Sequence, residues 1–334
     1  MGIRWRGRLA LGLCLGLSVG AGARSLKDYL ADLRFGTPEV REAAVEALAA
    51  SRDPQAGPAL LEALPDSRGA LKIQVMDALG RLKVRDAVGA LRQELADADP
   101  QSRLQAAVSL GEIGDPSAGP SLLPLLKDPD SQVRVQAAVA LGQCRDLSAR
   151  RPLEALLDSR DGMLKLAAVD ALGRIGDSAC LPALRSQLSN PDPVYRRHVV
   201  RAIGGLDDPK VDGLLGGWLA DKDATLRGFS AEALGTRPAD PALVPALLKG
   251  LSDPVEPVRI RCMETLGKWR VKEAVPGLLK ALRDQDDLIR YKAAVALGLI
   301  GDARAKPALR YVSENDPRPE IRAAAGQALN GLNP

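Results

Sequence analysis

The stretch Asp128–Gly142, DPDSQVRVQAAVALG, decides the fold. Val133, Ala137 and Ala140 stand eight, four and one residues before Leu141. That spacing is one face of a 3.6-residue helix. Asp128-Pro129-Asp130, ahead of it, has the chemistry of a turn and a helix N-cap. Gly142 follows the last apolar residue and, lacking a Cβ, lets another helix come close. The stretch predicts a polar turn running into an amphipathic helix of about 13 residues, ~20 Å long.

The same pattern recurs along the chain. With Leu141 as anchor, the equivalents are Leu48, Leu79, Leu110, Leu172, Ile203, Leu234, Leu266, Leu297 and Leu329. Seven of the nine steps are 31 residues and two are 32. A clock this regular means stacked supersecondary units, each offering the same face to its neighbour. A Gly follows the anchor in eight of the ten units, and Ala49 and Asn330 replace it in the terminal two. Gly114, Gly176 and Gly301 sit where a left-handed cap would end the helix. Ahead of each such helix lies a shorter one that begins near a proline, as at Pro58, Pro120, Pro182, Pro245, Pro276 and Pro307. Proline is tolerated there because a first-turn N–H has no helical partner. Leu122, Leu125 and Leu126 are expected to face the second helix.

One polar feature keeps the same period. A base lies seven residues before every anchor: Arg41, Lys72, Arg103, Arg134, Lys165, Arg196, Arg227, Arg259, Arg290 and Arg322. An acid lies six residues earlier in most units, as at Asp66, Asp97, Asp128, Asp221, Asp253, Asp284 and Asp316, with Ser159 and Asn190 standing in. The expectation is a ladder in which each base reaches back to its turn acid and turn carbonyls. Acids in register with the bases argue against a bare basic stripe.

These residues carry a resemblance. Asp…Val-Arg…Ala-Ala…Ala-Leu-Gly at a 31-residue period resembles HEAT repeats, in the short bacterial form described in phycobilisome lyases. The likeness covers residues 25–334. It implies an all-α protein, an α-solenoid of about ten stacked antiparallel helix pairs in an ARM/HEAT-like superhelix, with second helices on the concave side. At ~8–10 Å between packed helices the stack would be about 90–100 Å long. The repeat serves scaffolds, adaptors and regulatory subunits alike, so it transfers no function.

Composition agrees with thin layers of small side chains. The chain has 334 residues, 46% apolar but only 3% aromatic, with two Phe and one His. Residues 1–23 read as a secretory signal: Arg4, Arg6 and Arg8, an apolar run from Leu9 to Val19, and Ala21-Gly22-Ala23 as cleavage site. Residues 24–334 then form a single solenoid. The formal charge is +4, and removing three of the 46 bases leaves 43 against 42 acids. A nucleic-acid partner therefore has no electrostatic footing. The expected location is periplasmic or secreted, with an uncleaved inner-membrane anchor as the alternative. The apolar run is short of the about 20 residues that span a bilayer, so the mature chain is expected to carry no membrane span.

Catalytic readings find little. Cys144, Cys180 and Cys262 are odd in number, match no metal spacing and read as core fillers. One histidine excludes multi-histidine metal sites. The His-Glu pairs of HEAT-like metal hydroxylases are missing, and no Ser, His and acid set stands in register. No catalytic residue, cofactor or metal is expected. Chromophore attachment of the bilin-lyase kind is cytoplasmic, which conflicts with export.

Recognition then falls to outward positions of the second helices. Units two to five align Ile73, Leu104, Val135 and Leu166, with Gln74, Gln105 and Gln136 beside them and Val108 and Val139 one turn on. This stripe suits an apolar helix or extended peptide, or else packing between neighbouring second helices. Units six to nine hold Arg197, His198, Arg201, Phe229, Arg261, Tyr291 and Lys292, with Glu232 and Glu264 between. That basic and aromatic patch suits a carboxylate-bearing partner, or else is a solvated face. Trp218 and Trp269 read as packing residues. The expectation is a monomeric scaffold or adaptor for a protein or peptide partner. The alternative is a regulatory, chaperone-like or lyase-like subunit of an envelope enzyme.

Overall fold

A computed structural model describes residues 25–51 and 53–332. The signal-like segment, residues 1–23, lies outside them. The described chain is a stack of ten helix pairs. The first five pairs are α1 (Leu26–Phe35) with α2 (Pro38–Ala50), α3 (Ala56–Ala63) with α4 (Gly69–Arg81), α5 (Val88–Glu94) with α6 (Pro100–Ile113), α7 (Gly119–Leu122) with α8 (Ser131–Gln143), and α9 (Arg150–Ala155) with α10 (Gly162–Ile175). The second five are α11 (Leu181–Ser186) with α12 (Pro193–Gly204), α13 (Lys210–Trp218) with α14 (Ala224–Leu234), α15 (Val244–Gly250) with α16 (Glu256–Lys268), α17 (Val275–Ala281) with α18 (Asp287–Ile300), and α19 (Lys306–Asn315) with α20 (Pro319–Leu332). No described residue is in a strand.

Six of the second helices are started by a side-chain cap in the turn before them. Asp99, Asp130, Asp161, Asp192, Asp223 and Asp286 are N-caps whose carboxylates accept backbone N–H groups of the first turn. These satisfy donors that the helix leaves orphaned. Two residues upstream, Asp97, Asp128, Asp221, Asp253 and Asp284 accept the N–H two residues on and tighten the turn. Short 3-10 turns introduce most first helices, and in units four to six another follows the helix, so α7 is only four residues long.

The expected left-handed caps are present at Gly114, Gly176 and Gly301 (φ 70°, 80° and 73°). Three other units end the same way on a bulky base: Lys83, Arg145 and Arg270 have φ of 52°, 52° and 53°. The sequence pattern had not marked them.

Packing between units depends on the residue after the anchor. A Cβ on Gly142 would lie 2.6 Å from Ala171 Cα, and one on Gly173 would lie 2.5 Å from Ala202 Cα. Gly111 and Gly267 meet Ala140 and Ala296 in the same way. So each glycine seats the small residue just before the next anchor, and second helices touch backbone to backbone. Where that small residue is Ser109 or Thr265, its hydroxyl donates to a carbonyl of the preceding unit, Met76 O (2.7 Å) or Ala231 O (2.6 Å). Leu48, Leu79, Leu110, Leu141 and Leu172 are at most 1% exposed and form the core row.

The base–acid ladder exists, with its connectivity corrected. Each arginine reaches back to turn carbonyls and not to its turn acid: Arg103 Nη1 donates to Asp97 O and Ala98 O, Arg134, Arg196, Arg227, Arg259, Arg290 and Arg322 do the same, and Arg290 also donates to Asp287 at the start of its own helix. The carboxylate it engages belongs to the next unit. Arg103 forks onto Asp128 at 2.8 and 2.8 Å, Arg227 onto Asp253 at 2.7 and 2.9 Å, and Arg290 onto Asp316 at 2.8 and 3.3 Å. Lys72 pairs forward with Asp97 and Glu94. The turn acid cannot serve its own arginine because its carboxylate is folded over the turn it caps.

Candidate functional site

The second helices expose residues nine, six, five and two positions before each anchor, and two blocks differ there. In units two to five, Ile73, Leu104, Val135 and Leu166 are half-buried and packed against the core. Val139 packs likewise. Gln105 Nε2 donates to Asp77 (3.5 Å) and Ser109 (3.3 Å), while Gln74 and Gln136 are also half-buried. The row is thus largely used in joining neighbouring second helices.

Units six to nine carry a lattice of ion pairs. His198 Nδ1 lies 2.8 Å from Asp170, and Arg201 donates to the same carboxylate at 2.9 Å. Arg197 and Arg261 converge on Glu232 at 2.6 and 3.0 Å. Their guanidinium carbons lie 5.8 and 4.9 Å from the Phe229 ring centre, within cation–π range. Lys292 pairs with Glu264. Burial opposes ionisation of Glu232, but hydrogen bonds from Arg197 and Arg261 outweigh it and hold the carboxyl below its ordinary value. The bases singled out in the sequence therefore come together, but each already has an acid. Those acids, Asp170, Glu232 and Glu264, stand two before an anchor, and their partners His198, Arg261 and Lys292 stand five before the next. Opposite charges 28 or 29 residues apart were the available signal.

The outward face of α18 is different again. Leu288, Tyr291, Val295 and Leu299 are 46%, 37%, 37% and 46% exposed. At spacings of three and four they form one stripe along the helix. A groove of about 320 Å3 runs beside it, lined by Glu264, Lys268, Tyr291, Lys292, Val295, Ala296 and Leu299. Only Tyr291 and Lys292 of this set were expected. Leu288 and Val295 occupy the outward register nine and two residues before Leu297, whereas Leu299 lies two residues past that anchor and outside the register.

Cys144, Cys180 and Cys262 are buried and unpaired, and burial pushes each thiol up to about 12, so they pack as protonated fillers. Trp218 and Trp269 pack against the core, and Trp269 Nε1 donates to Arg237 O. Among the described residues no three His, Cys, Asp or Glu side chains are placed to hold a metal ion, and no helix is long and apolar enough to cross a membrane.

Matches to repeat-family models agree with this architecture. The family model described as HEAT repeats matches residues 57–142, 88–170, 119–188, 149–235, 181–261 and 244–330. The PBS lyase HEAT-like repeat matches residues 40–64. No curated protein matches the chain. Among solved structures, an engineered protein is 20% identical over 92% of this chain and 99% of its own, with a TM-score of 0.46. The complex of CpcE and CpcF of phycocyanin lyase from Nostoc sp. is 23% identical over 86% and 98%, TM-score 0.38. Human deoxyhypusine hydroxylase is 25% identical over 76% and 98%, TM-score 0.34. With ten helix pairs in register and the repeat model matching from residue 57 to residue 330, the chain belongs to the HEAT-repeat family.

Proposed function

We propose that this protein is a non-catalytic, monomeric scaffold of the cell envelope that binds a protein or peptide partner along its second-helix face. The observation that carries this reading is the α18 stripe. Four large apolar side chains in helical register stay exposed, and Tyr291 among them holds the position that is half-buried as Ile73, Leu104, Val135 and Leu166 in units two to five. Contiguous exposed apolar surface rimmed by charge is the usual mark of a recognition surface. An amphipathic helix laid along α18 would cover the stripe and place its polar edge against Lys268 and the Glu264–Lys292 pair. Stacked units at fixed spacing extend the contact along the neighbouring charged lattice.

The location rests on the Arg-rich, apolar start of the chain. A mature N-terminus at Arg24, read by Edman or mass-spectrometric sequencing of the envelope-fraction protein, is the expected result; an intact Met1 in the cytosol defeats it. The face is tested with a photo-crosslinking residue at position 295 in the native host. Crosslinked partners should appear, and should vanish in a Tyr291→Ser, Leu299→Asp variant whose circular dichroism is unchanged. Equal capture by the folded variant would remove the stripe as the binding face.

A further inference from the structure

Three rungs that have an acid in register are not closed by it: Arg41 turns its Nε to Leu33 O and not to Asp66, Arg196 pairs with Asp223 and not with Asp221, and Arg259 pairs with no carboxylate among the described residues. Between units eight and nine, Arg259 donates through Nη1 to Asp253 O (2.9 Å) and Pro254 O (3.4 Å), as its equivalents do. Its Nε and Nη2, the fork that grips a carboxylate in Arg103, Arg227 and Arg290, make no hydrogen bond among the described residues. Asp284 stands 25 residues on, the same separation as Arg103 and Asp128, yet does not close the fork. Instead both side chains line a groove of about 1000 Å3 with Lys280 and Arg283.

The charge there is unbalanced. Among the described residues Arg259, Lys280 and Arg283 take part in no ion pair. Asp253 is already taken on both oxygens by Arg227, and Asp284 uses one oxygen on the Asp286 N–H. Three unpaired cations thus face one carboxylate without a cation. The groove wall also holds Leu251, Leu279 and Ile289, so its lining is apolar beside the charge. A second groove of about 790 Å3 continues from it, sharing Leu279, Arg283 and Ala308, and adds Leu282, Pro307 and Tyr311, the last 68% exposed.

We propose that this edge of units eight to ten docks an extended peptide segment of a partner protein in which acidic and apolar side chains alternate. An acidic side chain completes the Arg259 rung in place of Asp284, because that fork is shaped for a bidentate carboxylate. Arg283 and Lys280 neutralise a second acid. The apolar side chains lie on Leu279 and Tyr311. Two grooves joined end to end suit a chain rather than a small anion. The site is separate from the α18 stripe and stands or falls independently of it.

The test is fluorescence polarisation of the purified full chain with a labelled octapeptide alternating glutamate and leucine, against the lysine and leucine counterpart. The acidic peptide should bind more tightly, and Arg259→Gln and Arg283→Glu should each weaken it by about tenfold, the scale of one lost charge-assisted contact. Arg185→Glu, on exposed α11 in unit six, should leave affinity unchanged, and thermal melts should show all variants folded. Equal binding of both peptides overturns the proposal, as does affinity within twofold of wild type in both groove variants. Displacement of the peptide by hexanoate at lower concentration than by unlabelled peptide would also overturn it, in favour of a small carboxylate ligand.

Discussion

Units two to five and units six to nine share one backbone plan but are joined differently across the second-helix face. In the first block the outward row is Ile73, Leu104, Val135 and Leu166, half-buried against the core. In the second it is a lattice of Arg197, His198, Arg201, Arg261 and Lys292 on Asp170, Glu232 and Glu264. The turn ladder varies the other way near the centre. Arg134 meets Asp161 only at 3.7 Å where Ser159 replaces the acid, and Lys165, facing the unit of Asn190, lies over the Tyr195 ring at 5.0 Å. The inner lattice begins at that junction, with Asp170 to His198. A repeat stack therefore tolerates loss of one type of inter-unit contact where another supplies the join, since each interface contributes separately to stability.

The largest expected effect removes the feature common to both blocks. Gly173→Ala sets a Cβ 2.5 Å from Ala202 Cα, at the junction of units five and six. Backbone must move, at a cost of about 3 kcal/mol. Urea unfolding followed by circular dichroism should show an earlier midpoint or split into two transitions; an unchanged curve would mean that α10 and α12 are not in backbone contact.

Next comes the ladder. The Arg103–Asp128 and Arg227–Asp253 pairs sit with side chains no more than 14% exposed. Asp128→Asn leaves Arg103 half-satisfied and should cost about 2 kcal/mol, below the range for a fully buried pair. The Arg103 and Arg227 hydrogen bonds hold the Asp128 and Asp253 carboxyls below their ordinary values. A folded value below the unfolded one means stabilisation present above about pH 4 and lost as pH falls through the folded value. Thermal melts should therefore drop below about pH 4, and Asp128→Asn should flatten that drop.

The sharpest contrast between blocks is salt. Glu232→Gln should cost about 1 kcal/mol at low ionic strength and much less in 1 M NaCl, because Arg197 is half-exposed and screened. Leu104→Ala should cost about 1–2 kcal/mol at either salt concentration, because apolar burial is not screened. Equal salt dependence would erase the distinction.

The smallest effect is a gain. Arg145→Gly and Arg270→Gly, one in each block, relieve a left-handed conformation and should each stabilise by about 1 kcal/mol. Unequal gains would show that one of these side chains has a further role.

Much of this was legible in the chain. The 31-residue period placed ten helix pairs, the glycine after each anchor marked the close contact, and turn aspartates marked the N-caps. The acid six residues ahead of each base was legible as a partner but assigned to the wrong unit, because spacing along one chain cannot distinguish a turn closing on itself from two turns stacked 25 residues apart. The apolar row of units two to five is half-buried against the core, and the basic patch of units six to nine is ion-paired. Their occupancy was not legible, since half-burial and ion pairing depend on which side chains the next unit brings alongside.

The sequence by itself determined what is local and periodic: helices, caps, turn chemistry and the small residues that let units stack. Those follow from backbone preferences that each unit satisfies alone. Only the tertiary structure decided which arginine meets which carboxylate, that the Arg259 fork stays open, and that Leu288, Val295 and Leu299 remain uncovered. Each is a property of the space between units, set by distances that exist only once the stack has formed.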